Sequence, residues 1–190
     1  MRFVEQVTDS LRAGDIPKAY ALSKEYEQSK PVDPKRTSPL AINIPANQEI
    51  KSIERLLGAK PKLLSGLSDE DLIKLRISTA VWQLGFIKGD IDYPLKDFAG
   101  LPPLKNQRLR LLMLNHCNYL NGLETMRRVG AKKFKLVSSG VCCDNCQSYA
   151  DKELEIDKAP EAPNPDCLEI KTGVTCHGLI YKPVLNFGDE

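Results

Sequence analysis

A chain of 190 residues can hold one ordinary domain, or one domain with appendages, and can bury a real apolar core. Its 42% hydrophobic, 27% charged and 6% aromatic residues are the composition of a soluble globular protein, and the opening MRFVEQVTDSLRAGD holds no continuous apolar run. Neither a signal peptide nor a membrane span is therefore expected, and the expected location is cytoplasmic with no membrane partner. The formal charge of +2 hides an uneven distribution: residues 1–100 carry 15 basic and 14 acidic groups, 101–140 carry 8 and 1, and 141–190 carry 4 and 10. A basic middle precedes an acidic tail.

The first apolar residues, Phe3, Val4, Val7 and Leu11, recur at near-helical intervals and stop at Gly14. Asp15 is placed as an N-cap, with Pro17 in the first turn, for a second helix reaching Glu27. Together they predict a helical hairpin over residues 1–28. Prolines 31, 34, 39 and 45 then mark a linker or arm over 29–47, in which LAINIP is the apolar patch. A helical domain is expected over 48–130. Its first helix runs from Gln48 to Ala59, with Ile50, Ile53, Leu56 and Leu57 on one face. Ser68 followed by Asp69, Glu70 and Asp71 is a strong start signal for the next, because a hydroxyl cap and carboxylates suit the positive end of the helix dipole. That helix is expected to run to about Phe86 and end near Gly89, with Trp82 in the core although Ser78 and Thr79 lie one turn back.

After a loop at 90–103, Asn106 to Arg128 is the longest periodic segment, with Leu109, Leu112, Met113, Leu120, Leu123 and Met126 as its buried stripe. Gly130 is a C-terminal cap, and Arg127 and Arg128 complement the dipole. His116 and Cys117, in mid-helix, are read as packing residues. Three short strands follow: KKFKLVS at 132–138 with Phe134 and Leu136 inward, KELEI at 152–156, and LIYKPVL at 179–185. The expected fold class is therefore α+β, with a mainly helical N-terminal part and a small antiparallel β module over 131–190 packed on helix 106–129. Such a core is too small to be stable alone, so a metal staple would supply folding free energy.

Five of the six cysteines fall between Gly140 and Tyr181. Cys143 and Cys146 form a C-x-x-C knuckle, Cys167 follows, and Cys176 with His177 closes the set. Two thiolates separated by two residues can grip one cation, and ligands from a distant loop can complete a tetrahedron, which suits Zn2+. The spacing matches a zinc pattern through Cys167, but the next cysteine lies nine residues on. Cys176 is preferred as fourth ligand, since an all-thiolate site needs no histidine tautomer fixed by a neighbour, and His177 is the alternative. Disulfides and unliganded buried thiols are the competing readings of the same cysteines. Cys142 is a neighbour of the set.

The order of long helix, glycine, basic strand, Val-Cys-Cys-x-x-Cys, acidic hairpin and Pro-x-Cys resembles the C-terminal module of phage head morphogenesis proteins of the Mu F-like minor head class. The matching residues are Asn121 and Gly122, Gly130, Phe134 to Ser139, Cys143 and Cys146, Asp151 to Ile156, and Pro165 with Cys167. They span roughly residues 106–170, about a third of the chain. Two family features differ: Leu112, Met113 and Leu114 occupy the region of its Arg-Thr-Glu signature, and Asn164 stands where it has a histidine before the proline. The resemblance implies a virion-assembly role with a capsid or portal type partner, and a fourth ligand drawn from Cys176 or His177.

Three functional classes follow. The first is a non-enzymatic zinc-binding structural and interaction protein, because a closed four-ligand site leaves no coordination position for catalysis. A nucleic-acid-binding zinc protein using the basic block at 105–135 is the alternative, although aromatic residues for base stacking are not interleaved with its charges. The third is a zinc-scaffolded nuclease or toxin-like enzyme, for which Asp144, Asp151, Asp157 and Asp166 are the nearest carboxylates and no catalytic residue can be assigned.

Overall fold

The computed structural model describes residues 3–30, 45–86, 106–138, 144–149, 152–165 and 179–184. Among the described residues there are six helices, α1 (Phe3–Arg12), α2 (Ile16–Ser29), α3 (Ala46–Gly58), α4 (Asp69–Gln83), α5 (Asn106–Arg128) and α6 (Asp144–Gln147), and strands β1 (Lys133–Ser138), β2 (Glu153–Glu155) and β3 (Leu179–Val184). The fold is α+β, mainly helical with a small antiparallel sheet. Residues 31–44 of the expected arm, and all of the loop at 90–103, lie outside the described residues. Among the described residues, no helix is long and apolar enough to cross a membrane.

The chain divides into two compact units. One comprises Met1–Gly58 with Asp69–Gly100, and so contains α1 to α4. Asp15 caps α2 as its sequence position requires, its carboxylate accepting from the Lys18 amide at 3.1 Å. Val7, Ala19, Ile53, Leu56, Leu75, Ala80 and Val81 are almost wholly buried and form the core of this unit. Phe86 closes it, its ring stacked on Tyr26 with centroids 4.6 Å apart.

Helix α4 departs from a simple amphipathic pattern. Ser78 and Thr79 are fully buried, because each hydroxyl donates to the Leu75 carbonyl, at 3.0 and 2.6 Å. That satisfies both hydroxyls and lets a polar-looking turn enter the core, while Trp82 is only half-buried. The helix also ends earlier than its apolar run suggests. Gly85 takes φ +96°, with its amide bonded to Trp82 O and the Phe86 amide to Val81 O, a Schellman closure that stops the helix at Gln83.

The second unit comprises Ala59–Ser68 with Leu101–Glu190. Helix α5 has the predicted span, and Leu109, Leu112, Met113, Leu123 and Met126 are buried along it, with Leu120 half-buried. At its end Gly130 adopts φ +76°, its amide reaching Arg127 O and the Ala131 amide reaching Met126 O, both at 3.0 Å. Beyond this turn β1 begins at Lys133, and its Phe134 packs against the end of the helix. A Cβ on Gly130 would meet nothing within 4 Å, so the position needs glycine for its backbone angle alone. Gly130→Ala is expected to destabilise by about 1–2 kcal/mol and Gly130→Asn by less, read from urea unfolding midpoints.

The sheet has the order β2-β1-β3, antiparallel throughout. Phe134, on the central strand, lies opposite Leu154 on one side and Pro183 on the other. It is fully buried in a cluster with Leu123 and Met126 of α5, Ala131 and Ile156, bordered by Tyr119, Tyr149, Leu154 and Ala159. The sheet therefore packs on the C-terminal half of α5.

Candidate metal centre

Cys142, Cys143, Cys167, Cys176 and His177 lie outside the described residues. Cys146 falls in α6, a single turn whose backbone is described. Among the described residues, no group of three or more His, Cys, Asp or Glu side chains is placed to hold a metal. Cys117, on α5, is a buried thiol and forms no disulfide.

What the described strands fix is where the cysteine-bearing segments are anchored. Ser138, the last residue of β1, pairs with Leu179, the first residue of β3, while β2 begins at Glu153 opposite Lys135. The end of β1 and the start of β3 therefore lie together at one end of the sheet, and β2 starts three residues short of it. Cys143 is five residues beyond Ser138 and Cys176 three residues before Leu179. At no more than ~3.6 Å per residue they can reach about 18 and 11 Å from anchors that an antiparallel pair holds ~5 Å apart. Cys146 lies on the β1–β2 connection that leaves from that end. The donor set, thiolates with one adjacent imidazole, fits a closed four-coordinate zinc.

Three cations of the basic block lie against carboxylates of the acidic tail. Cross-strand pairing sets Lys133 opposite Glu155 and Lys135 opposite Glu153, and Arg127 donates to Asp157 at 3.0 Å. A hydrogen bond from Lys158, its charge and that of Lys133 together hold the Glu155 carboxyl below its ordinary range. These pairs are exposed, and Arg127–Asp157 contributes at most about 1 kcal/mol. Arg110, by contrast, is buried, and burial lowers its pKa from the ordinary arginine value.

A polar cluster that periodicity did not signal lies on the inner side of α5. His116, 6% exposed, has Nδ1 3.0 Å from Ala162 O and 3.6 Å from Glu161 Oε1. Both neighbours are acceptors, so Nδ1 carries the proton and donates to the carbonyl. Glu161 Oε1 also accepts from the Lys62 backbone amide at 2.6 Å, at the 3-10 turn Lys62–Leu64, with Lys62 Nζ at 3.8 Å from Oε2. One turn along the helix, the Tyr119 hydroxyl donates to Ala159 O at 3.4 Å. Burial first, and the Glu161 charge second, raise the Tyr119 pKa, with Arg127 opposing. The partners of His116 lie more than forty residues away in sequence, which is why only its burial, and not its bonding, follows from helix spacing.

The arrangement is that of an α+β protein in which a long helix backs a three-stranded antiparallel sheet, with cysteine-bearing segments anchored at one end of the sheet. Comparison with protein-family models, with curated proteins and with solved structures finds no match to this chain.

Proposed function

We propose that the chain is a non-enzymatic, zinc-stapled structural and interaction protein, with Zn2+ held by Cys143, Cys146, Cys167 and Cys176, or by His177 in place of Cys176. The observation that supports this reading is the pairing of Ser138 with Leu179, which anchors the segments bearing the knuckle and the last ligands on adjacent strands. In that role the metal closes the open end of a sheet whose core is small, and adds to its folding free energy. Its likeness in element order to the Mu F-like minor head module makes a capsid or portal type protein the partner class, within the cytoplasm or a virion. The cross-strand pairing of Lys133 and Lys135 with glutamates favours this over a nucleic-acid footprint, since those cations face internal anions.

Elemental analysis of the native protein tests the reading. One zinc per chain is expected, lost in Cys143→Ser and Cys167→Ser, and lost in only one of Cys176→Ser and His177→Ala. Native protein without stoichiometric zinc ends it.

A further inference from the structure

We propose that the groove between helices α1, α3 and α4 docks one amphipathic helix of a partner protein, taking its apolar side chains into the groove and its carboxylates onto Arg12 and Arg76. The surface lies wholly within the first unit, which contains no cysteine. It therefore names a partner chemistry for the interaction role above and stands or falls without the metal.

Helix α4 carries apolar side chains on two sides. Leu72 and Leu75 turn into the core, whereas Ile73 and Ile77, one turn apart, form a second stripe that meets the ends of α1 and α3. Ile77 is buried at the foot of this stripe, but Ile73 is 52% exposed, and among the described residues only Val129 of the large apolar side chains is comparably exposed. A lone exposed isoleucine needs no explanation. Here it walls a groove of about 270 Å3 together with Leu11, Leu57 and Ile77.

Three observations select the occupant. The volume is below that of sites that enclose a small molecule, roughly 300–1,000 Å3, and suits one or two side chains of a larger partner. The walls are helices, and among the described residues this unit has no strand whose edge could accept an extended peptide, which leaves the helix-in-groove mode with anchors at i and i+4. The charged groups lining the groove are Arg12 and Arg76, and arginine is the cation enriched at protein interfaces. Arg12 pairs with Asp9 at 3.6 Å, both exposed, a contact weak enough to be exchanged for a partner carboxylate. Arg76 reaches the Gly58 carbonyl at 3.5 Å, and its planar fork can take a carboxylate as well.

The test titrates the full chain, isotope-labelled for amide NMR, with a synthetic helical peptide bearing leucines at i and i+4 flanked by glutamates, and with its counterpart in which lysines replace the glutamates. The acidic peptide is expected to shift amides at Leu11, Leu57 and Ile73 to Ile77 and to bind about tenfold tighter than the basic one, a preference that shrinks in high salt. Ile73→Gln, at an exposed position where the fold is not at risk, should weaken its binding about fivefold. Arg12→Glu combined with Arg76→Glu should reverse the preference; if that double variant fails to fold, Arg12→Glu alone should cut it about threefold. Equal binding of the two peptides, shifts confined to other surfaces, or no shift by the acidic peptide at about 1 mM overturns the proposal. So does an occupant of another kind: groove shifts that grow with protein concentration alone mean a second copy, and shifts with dodecanoate where the acidic peptide gives none mean an aliphatic acid. A chain without zinc that binds the acidic peptide in the groove upholds this inference and loses only the metal reading.

Discussion

On the proposed zinc-stapled reading, a strong chelator is expected to unfold the three-stranded sheet while helices α1 to α4 stay folded. All six cysteines lie at or beyond position 117, so the first unit, with its own core around Leu56 and Leu75, contains no thiol ligand. The sheet is in a different position. Among the described residues its buried cluster consists of Leu123, Met126, Ala131, Phe134 and Ile156, and β2 has only three residues. A structural zinc contributes about 10–16 kcal/mol of binding free energy at neutral pH, comparable to or larger than the stability of an ordinary domain. Hydrogen exchange reads the result by region: amides of 133–138, 153–155 and 179–184 should lose protection on chelation, and those of α1 to α4 should keep it. A reducing agent without chelator should leave the sheet protected. If reductant rather than chelator melts it, the cysteines are disulfide-bonded; if neither does, they are unliganded thiols.

The elements were legible in the sequence where one physical signal dominated. Helix α5 could be placed to the residue because an unbroken apolar stripe ends at a glycine able to take positive φ. The strands could be placed because KFKLVS and ELE alternate between charge and apolar side chain. Sequence reasoning failed where two signals competed. In α4 the polar Ser78 and Thr79, one turn before Trp82, carry no apolar signal, yet both are satisfied by the preceding turn and enter the core, while Trp82 is only half-buried. Its end was placed too late because the apolar run continues to Phe86, which belongs to the core but lies past the Gly85 cap. The cysteine pattern from which a metal is proposed is a matter of sequence spacing alone. The joining of its anchors at Ser138 and Leu179 depends on strand register, which no local pattern states. The bonding of His116 to Ala162 is of the same kind, a contact made by tertiary packing between segments distant in sequence.

Phe134→Ala is expected to be strongly damaging to the sheet. The ring is fully buried on the central strand, paired across both edges, and touches the cluster that joins the sheet to α5. Truncating such a residue removes its transfer free energy and leaves a cavity, at a cost of about 3–5 kcal/mol, whereas Phe134→Leu should cost about 1–2 kcal/mol. On the proposed reading, in which metal binding and folding of the sheet are coupled, that loss should appear in zinc affinity as well. At 1.4 kcal/mol per factor of ten, Phe134→Ala is then expected to weaken apparent zinc binding by about two to three and a half orders of magnitude, although residue 134 is outside the proposed ligand set. In chelated protein the same substitution should change nothing further in the sheet, whose packing is then already lost. A variant that is destabilised yet binds zinc with wild-type affinity would mean that the cysteine site assembles without the sheet, and the metal would then be a separate element rather than its staple.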